Sequence, residues 1–324
     1  MGSKLSIVLI TWNSCRFLDR CCDGIRQQDI PLELIVVDNA SSDRSVEAIL
    51  ERIPEASVIR NGSNVGFSAA ANQGIQSSSA PFVLLLNPDV FLCSGFAGKL
   101  IEAMERKGER TGSATGKLLR GRGVGIEPTK IVDSRGIRMT RNGRHLDIDA
   151  GREDSETDAS VTEVFGVSGA AALYRREFLR DVAVDGQPFD NAFFAYREDA
   201  DLSWRGRLFG WNAIYVPSAV AYHVRSVTPE RRRTLPDAIN FHSVKNRFQL
   251  RLKNQGLYLA MRNAPFELGR DLLVLASTLL TERSSLPAWP WLWQHRHDVM
   301  RKRREIQRRR TVDDRELARW FTGW

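Results

Sequence analysis

The run Phe82-Val83-Leu84-Leu85-Leu86 constrains the fold more than any other segment, because five consecutive apolar residues leave no polar face for water. Such a run is expected for a strand covered on both sides, as in a parallel sheet between layers of helix. Leu5-Ser6-Ile7-Val8-Leu9-Ile10 and Leu34-Ile35-Val36-Val37 repeat the theme, and Ser57-Val58-Ile59 supplies a shorter strand. Helical patterns lie between them: from the N-cap at Asn13-Ser14 to about Gln28, from about Asp43 to Ile53, and onward from near Ser68. This alternation predicts nucleotide-binding α/β architecture over the first ~120 residues.

In open parallel sheets ligands bind beyond the C-terminal strand ends. Those ends read Thr11-Trp12-Asn13, then Asp38-Asn39-Ala40-Ser41-Ser42-Asp43, then Asn87-Pro88-Asp89. Any one of them could simply make turns and helix caps, but three together, two of them acidic, point to a polar ligand. The first turn lacks GxGxxG and the chain lacks GxxxxGK[ST], which disfavours a nicotinamide dehydrogenase and a P-loop NTPase. Residues 121–160, Gly-rich and charged, read as loops or a small hairpin insertion.

The 324 residues, 42% of them apolar, suffice for one large core or two modest ones, and their composition excludes disorder. The longest mainly apolar stretch, Leu272 to Leu280, is far short of the ~20 residues that span a bilayer. The N-terminus has no secretory-signal pattern, so a cytoplasmic location is expected. Cys15, Cys21, Cys22 and Cys93 lack CxxC spacing, and three of them fall in one helical pattern, which supports neither zinc nor a disulfide framework. Charge is uneven: residues 1–221 hold 26 basic and 29 acidic side chains, residues 222–324 hold 21 and 10. The basic C-terminal third implies an anionic partner.

Five blocks in order resemble the family 2 glycosyltransferases, within them the rhamnosyltransferase-like group of bacterial surface polysaccharide synthesis. They are Ile7–Asn13, Val36–Asp43, Asn64-Val65-Gly66-Phe67-Ser68-Ala69-Ala70-Ala71-Asn72-Gln73-Gly74, Leu84–Asp89, and Phe193-Phe194-Ala195-Tyr196-Arg197-Glu198-Asp199-Ala200-Asp201-Leu202-Ser203-Trp204-Arg205. The resemblance spans about residues 4–250. It implies a GT-A fold, a Rossmann-like mixed sheet flanked by helices, and transfer of a sugar from a nucleotide diphosphate with inversion. Residues 1–236 would form the catalytic domain, with 1–120 as its nucleotide-sugar half and 121–236 as its acceptor half. Residues 237–324 would form a helical, basic extension.

For the nucleotide sugar, the resemblance implies Thr11, Trp12, Asn13, Asp38, Asn39, Ser41, Asn64, Gly66, Phe67, Asn72 and Asn87. Asp38 suits a base or ribose contact, and the glycine turn before a helix suits an anion. Asn87-Pro88-Asp89 stands where the wider family has DxD, with Asn in the first position. Asp89 is thus the expected ligand of a divalent cation, Mg2+ or Mn2+. His223 would complete the metal site, although a lone histidine can equally be structural; His145, His242, His295 and His297 have no comparable context. Asp199 matches the family's general base. Gly169, in the small-residue run Val167–Tyr174, and Glu198, Trp204 and Arg205 are expected acceptor contacts, although strand packing would explain the small residues and a core-facing helix would explain Trp204.

Past Asp237, apolar helical stretches, the cluster Trp289-Pro290-Trp291-Leu292-Trp293 and the runs Arg301-Lys302-Arg303-Arg304 and Arg308-Arg309-Arg310 suit a helix lying on an anionic membrane. Nucleic-acid binding through arginine is the rival reading, but no recognised motif supports it. The expected partners are therefore a nucleotide diphosphate sugar, a lipid-linked glycan acceptor and the inner membrane surface. The expected donor is dTDP-rhamnose; a UDP sugar is an alternative. A nucleotidyltransferase would need a glycine-rich basic loop in place of Thr11-Trp12-Asn13.

Overall fold

The computed structural model describes residues 2–155, 160–225 and 237–323. Its first part alternates β1 (Leu5–Thr11), α1 (Cys15–Arg26), β2 (Leu32–Asp38), α2 (Ser45–Arg52), β3 (Ser57–Arg60), α3 (Phe67–Ser77) and β4 (Phe82–Leu86). Next come β5 (Val90–Leu92), α4 (Phe96–Lys107), β6 (Thr111–Arg122), β7 (Glu127–Ser134), β8 (Ile137–Met139), β9 (His145–Asp147), β10 (Thr162–Val164), β11 (Ala171–Arg175), α5 (Arg176–Asp181), α6 (Glu198–Leu208) and β12 (Asn212–His223). The remainder is helical: α7 (Asp237–Asn254), α8 (Leu257–Leu280), α9 (Ala288–Gln294), α10 (Arg296–Arg309) and α11 (Asp314–Leu317).

The main sheet runs β10-β12-β6-β11-β4-β1-β2-β3, with β5 on β12 and β7 on β6. Strands β3, β2, β1 and β4 are parallel, β11 is antiparallel to both its neighbours, and β12 is parallel to β6. Side chains alternate between two cores: Val8, Ile10, Val83 and Leu85 face one, while Ile7, Leu9, Phe82, Leu84 and Leu86 face the other. Burial on both faces is why these strands carry no polar alternation.

Residues 121–155 hold the hairpin the sequence allows and one further strand. β7 extends the main sheet along β6, and β8 and β9 form a separate two-stranded hairpin. The sequence pattern hides β7 because Glu127, Pro128 and Lys130 are exposed or half-exposed at its start, and only Val132, Asp133 and Ser134 are buried.

The C-terminal helices are joined to this body by buried charge. Lys253 of α7 lies 2.6 Å from Asp190 and 3.1 Å from Asp201 of α6, and Lys302 of α10 lies 2.9 Å from Asp190. The loop before α6 and α6 itself therefore rest on α7.

Candidate active site

The strand ends meet as the parallel register requires, with Thr11 opposite Asp38. Asn13, at φ 51°, accepts from the Ser42 N–H at 2.8 Å and donates its own N–H to Ser41 Oγ at 2.9 Å, which locks the two strand-end loops together. The Asp38 carboxylate is buried and accepts from the Ser41 N–H at 3.2 Å. The Thr11 hydroxyl is buried without a hydrogen-bond partner among the described residues, and Trp12 is exposed. Asn39 donates to the Gly66 carbonyl at 3.3 Å, and Asn64 Oδ1 accepts from the Gly66 N–H at 2.9 Å. Gly66 has φ 85°, and a Cβ there would lie 2.7 Å from the Phe194 carbonyl oxygen. Glycine is thus required where the α3 N-terminus touches the loop that leads to Asp199. Phe67 is half-buried and edge-on to Phe189.

Three expected contacts turn inward. Asn72 donates to the Phe189 carbonyl at 2.7 Å and accepts from its N–H at 3.0 Å, so its amide fastens α3 to residues 189–191 instead of facing a ligand. Trp204 is fully buried against Phe165 and Phe321. Arg205 is 1% exposed, pairs with Asp201 at 2.9 Å and donates to the carbonyls of Val182 and Pro188. Helix α6 is buried almost all round, so the Trp204 and Arg205 side chains point into the interior.

The remaining residues converge around β11. The Asn87 N–H donates to the Ala170 carbonyl at 2.9 Å, and the adjacent Gly169 N–H donates to Asp199 Oδ2 at 3.1 Å. Residues 169–170 therefore bridge the β4 strand end to the Asp199 carboxylate. A Cβ on Gly169 would sit 3.6 Å from that carboxylate, so the glycine leaves its approach open. Burial raises the Asp199 pKa above the usual carboxylate range, with Asp147 adding to it, against the Gly169 and Ala200 N–H donors. Glu198 is buried, its Oε2 has no hydrogen-bond partner among the described residues, and burial together with Asp199 raises its pKa well above normal.

Asp89 and His223 are brought together by strand pairing. Val90 of β5 lies opposite His223 of β12, and the Val224 N–H donates to the Asp89 carbonyl at 3.0 Å. His223 Nε2 is 3.4 Å from Asp89 Oδ1, while Nδ1 is 2.8 Å from Asp133 Oδ2. Burial would lower the His223 pKa, but Asp89 and Asp133 outweigh it and raise it to about 10. Sequence reasoning misses Asp133; an acidic residue near the end of a strand-forming segment is its one signal.

The description "Glycosyl transferase family 2" belongs to the family model that matches residues 6–183. The N-acetylglucosaminyl-diphospho-decaprenol L-rhamnosyltransferase of Mycobacterium tuberculosis (strain ATCC 25618 / H37Rv) is 27% identical over 245 residues, 69% of this chain and 76% of that protein. Among solved structures, GalNAc-T7 with UDP, GalNAc and Mn2+ superposes with TM-score 0.61 at 14% identity, covering 78% of this chain. The chain spans only 48% of that longer protein. The mannosyltransferase PcManGT of Pyrobaculum calidifontis, in complex with GDP-Man and Mn2+, gives 0.54 at 16% identity over 95% of this chain and 84% of that one. At such identities the structures show the shared GT-A fold, while the family match covers more than half the sequence: the chain belongs to glycosyl transferase family 2, and within it is similar to a rhamnosyltransferase.

Proposed function

We propose that the protein is an inverting, cation-assisted transferase that moves rhamnose from dTDP-rhamnose to a hydroxyl of a lipid-linked glycan in cell-envelope synthesis. The observation that carries this reading is the bridge at residues 169–170, which holds the Asp199 carboxylate beside the strand end bearing Asn87 and Asp89. Asp199 takes the proton of the acceptor hydroxyl as its oxygen forms a bond to the anomeric carbon; the bond from that carbon to the diphosphate breaks on the opposite face. The donor sugar and the lipid acceptor are carried over from the mycobacterial relative, which is named for both.

Asp89 and His223 would hold Mg2+ or Mn2+. Two donors at right angles on an ion at about 2.1 Å stand about 3 Å apart, close to the 3.4 Å between Asp89 Oδ1 and His223 Nε2. A carboxylate with an imidazole suits Mn2+. When bound, the cation neutralises charge on the leaving diphosphate. Thr11, Trp12, Asn13, Asp38, Asn39, Ser41, Asn64, Gly66, Phe67 and Asn87 would surround the nucleotide sugar, and Gly169 and Glu198 the acceptor.

The partner at the C-terminal end would be the inner face of the membrane. Among the described residues no helix is long and apolar enough to cross a bilayer. Helix α8 instead turns most of its apolar side chains outward: Leu257, Met261, Leu268, Leu272, Leu275 and Leu279 are exposed, while Leu259, Asn263, Glu267 and Thr278 are buried. At 100° per residue those six side chains form one stripe, and the positive charge of residues 222–324 favours an anionic lipid surface over a second copy of this chain. The catalytic domain at 1–236 would then act on acceptors presented there by 237–324.

The first test is a thermal-shift screen of dTDP-rhamnose, UDP sugars and GDP-mannose with Mn2+ or Mg2+. Cation-dependent stabilisation by dTDP-rhamnose alone is expected; stabilisation by another donor alone would discard rhamnose and keep the reaction class.

A further inference from the structure

Asp133 has a place in the sheet that sequence periodicity does not anticipate. Along the β6–β7 pair Ser134 lies opposite Leu118 and Val132 opposite Leu119, so Asp133 is the extra residue of a β-bulge. A bulge re-aims one side chain and breaks the alternation of its strand. Here the displaced side chain, 1% exposed, meets the His223 ring from β12, on the other side of β6. Beyond it, Arg225 Nε lies 3.0 Å from Asp133 Oδ1 and an Arg225 terminal nitrogen lies 2.7 Å from Asp147 Oδ2 of β9. Asp147, Arg225, Asp133 and His223 thus form one chain of ion pairs ending at Asp89.

We propose that Asp133 is a positioning residue that sets which nitrogen of His223 faces Asp89. An imidazole can turn either nitrogen toward a cation, and a carboxylate on one side fixes both the ring orientation and the tautomer. With Nδ1 held by Asp133, Nε2 is the nitrogen turned to the Asp89 side, and its lone pair would be free for a cation that displaces its proton. Arg225 and Asp147 keep the carboxylate from rotating away, which gives the segment 121–160 a role in the cation site although none of its residues would touch the ion. The proposal rests on the reading of Asp89 and His223 as the cation-holding pair.

The test is titration of the full chain with Mn2+ alone, following free Mn2+ by electron paramagnetic resonance, for wild type, Asp89→Ala and Asp133→Asn. Loss of an outer partner of a metal-bound histidine typically weakens affinity 10–100-fold, and about that loss is expected for Asp133→Asn. Wild-type affinity in Asp133→Asn, together with weakened binding in Asp89→Ala, would overturn the positioning role and leave the cation site standing. Equal binding by wild type and Asp89→Ala would instead remove the cation site, and the proposal with it. Should Asp133→Asn not fold, Arg225→Gln removes the guanidinium that steadies the carboxylate: a smaller loss of Mn2+ affinity is expected, and an unchanged affinity overturns the proposal.

Discussion

The Asn246 side chain donates to the Tyr196 carbonyl at 2.7 Å, and the same amide lies 2.9 Å from the Phe193 carbonyl and 2.8 Å from that of Ala195. The loop it gathers contains Phe194, Tyr196 and Arg197 at positive φ, a conformation that is unfavourable for residues with a side chain and persists when its surroundings impose it. Helix α7 thus holds the segment that ends at Asp199. Lys245 donates to the Ala192 carbonyl and His242 stacks on Phe194, so the clamp involves several residues of one helix.

Removing that amide should loosen Asp199, the proposed base, without touching the donor. Asn246→Ala is expected to lower kcat by about 10- to 100-fold, the scale of a slight misplacement of a catalytic group, with little change in KM for the nucleotide sugar. Steady-state kinetics check this, and a rise in donor KM at constant kcat would contradict the clamp.

Replacing Asp199, the base proposed above, should cost more. Asp199→Asn keeps the shape and can still accept the Gly169 N–H, but it cannot take a proton; turnover is expected to fall by ~10²–10⁴. Donor binding, read by thermal shift, should be unaltered. Full activity in this variant would remove Asp199 from the reaction.

The acid limb of the rate profile should report the same group. Because burial raises the Asp199 pKa and the base must be ionised, kcat/KM should fall tenfold per pH unit below a midpoint that lies above the ordinary ~4 of an aspartate. In Asp199→Asn the residual rate should lose that limb. A wild-type profile that stays flat down to pH 4 would count against the assignment.

How far the sequence can be read depends on whether burial follows a simple period. β1 and β4 are legible because both their faces are covered, which leaves unbroken apolar runs. Asp89 and Asp199 stand out as carboxylates inside recognisable blocks. The burial of Arg205 is not legible because α6 has no polar face: its Asp201–Arg205 pair is fully interior, and charged residues in a helix ordinarily read as solvent-facing. Asp133 cannot be read because its contact with His223 spans 90 residues and depends on a bulge. Helix α8 is legible as apolar, but which side faces outward requires the packing of Asn263, Glu267 and Thr278.

The buried cluster around Asp190 should govern acid stability. Burial alone would raise the Asp190 pKa, but Lys253 and Lys302 outweigh it and hold the carboxyl far below its ordinary range. A depressed folded-state pKa contributes stability that is fully present above the unfolded value of ~3.9 and is lost as pH falls below it. Asp190→Asn should therefore cost about 3–5 kcal/mol at neutral pH, because it leaves Lys253 and Lys302 without a shared counter-ion. Urea unfolding at pH 7 and pH 3 should show the gap between wild type and variant narrowing at the lower pH. A gap of constant size would mean that packing, and not charge, is what the substitution removed.

The outward stripe of α8 makes a demand that folding does not explain. Exposed leucines gain nothing where they stand, whereas burying each in lipid is worth about 1.5–3 kcal/mol. Leu268 and Leu272 are 63% and 67% exposed, so Leu268→Glu with Leu272→Glu should leave the melting temperature nearly unchanged. The same pair should reduce co-sedimentation with phosphatidylglycerol vesicles at least tenfold, about the effect of losing one such burial. Vesicles of phosphatidylcholine alone should bind wild type less well, because the basic side chains then have no anionic surface to meet. Equal vesicle binding by wild type and the double variant would show that α8 does not dock on lipid; a change in oligomeric state on substitution would assign the stripe to a second copy of the chain.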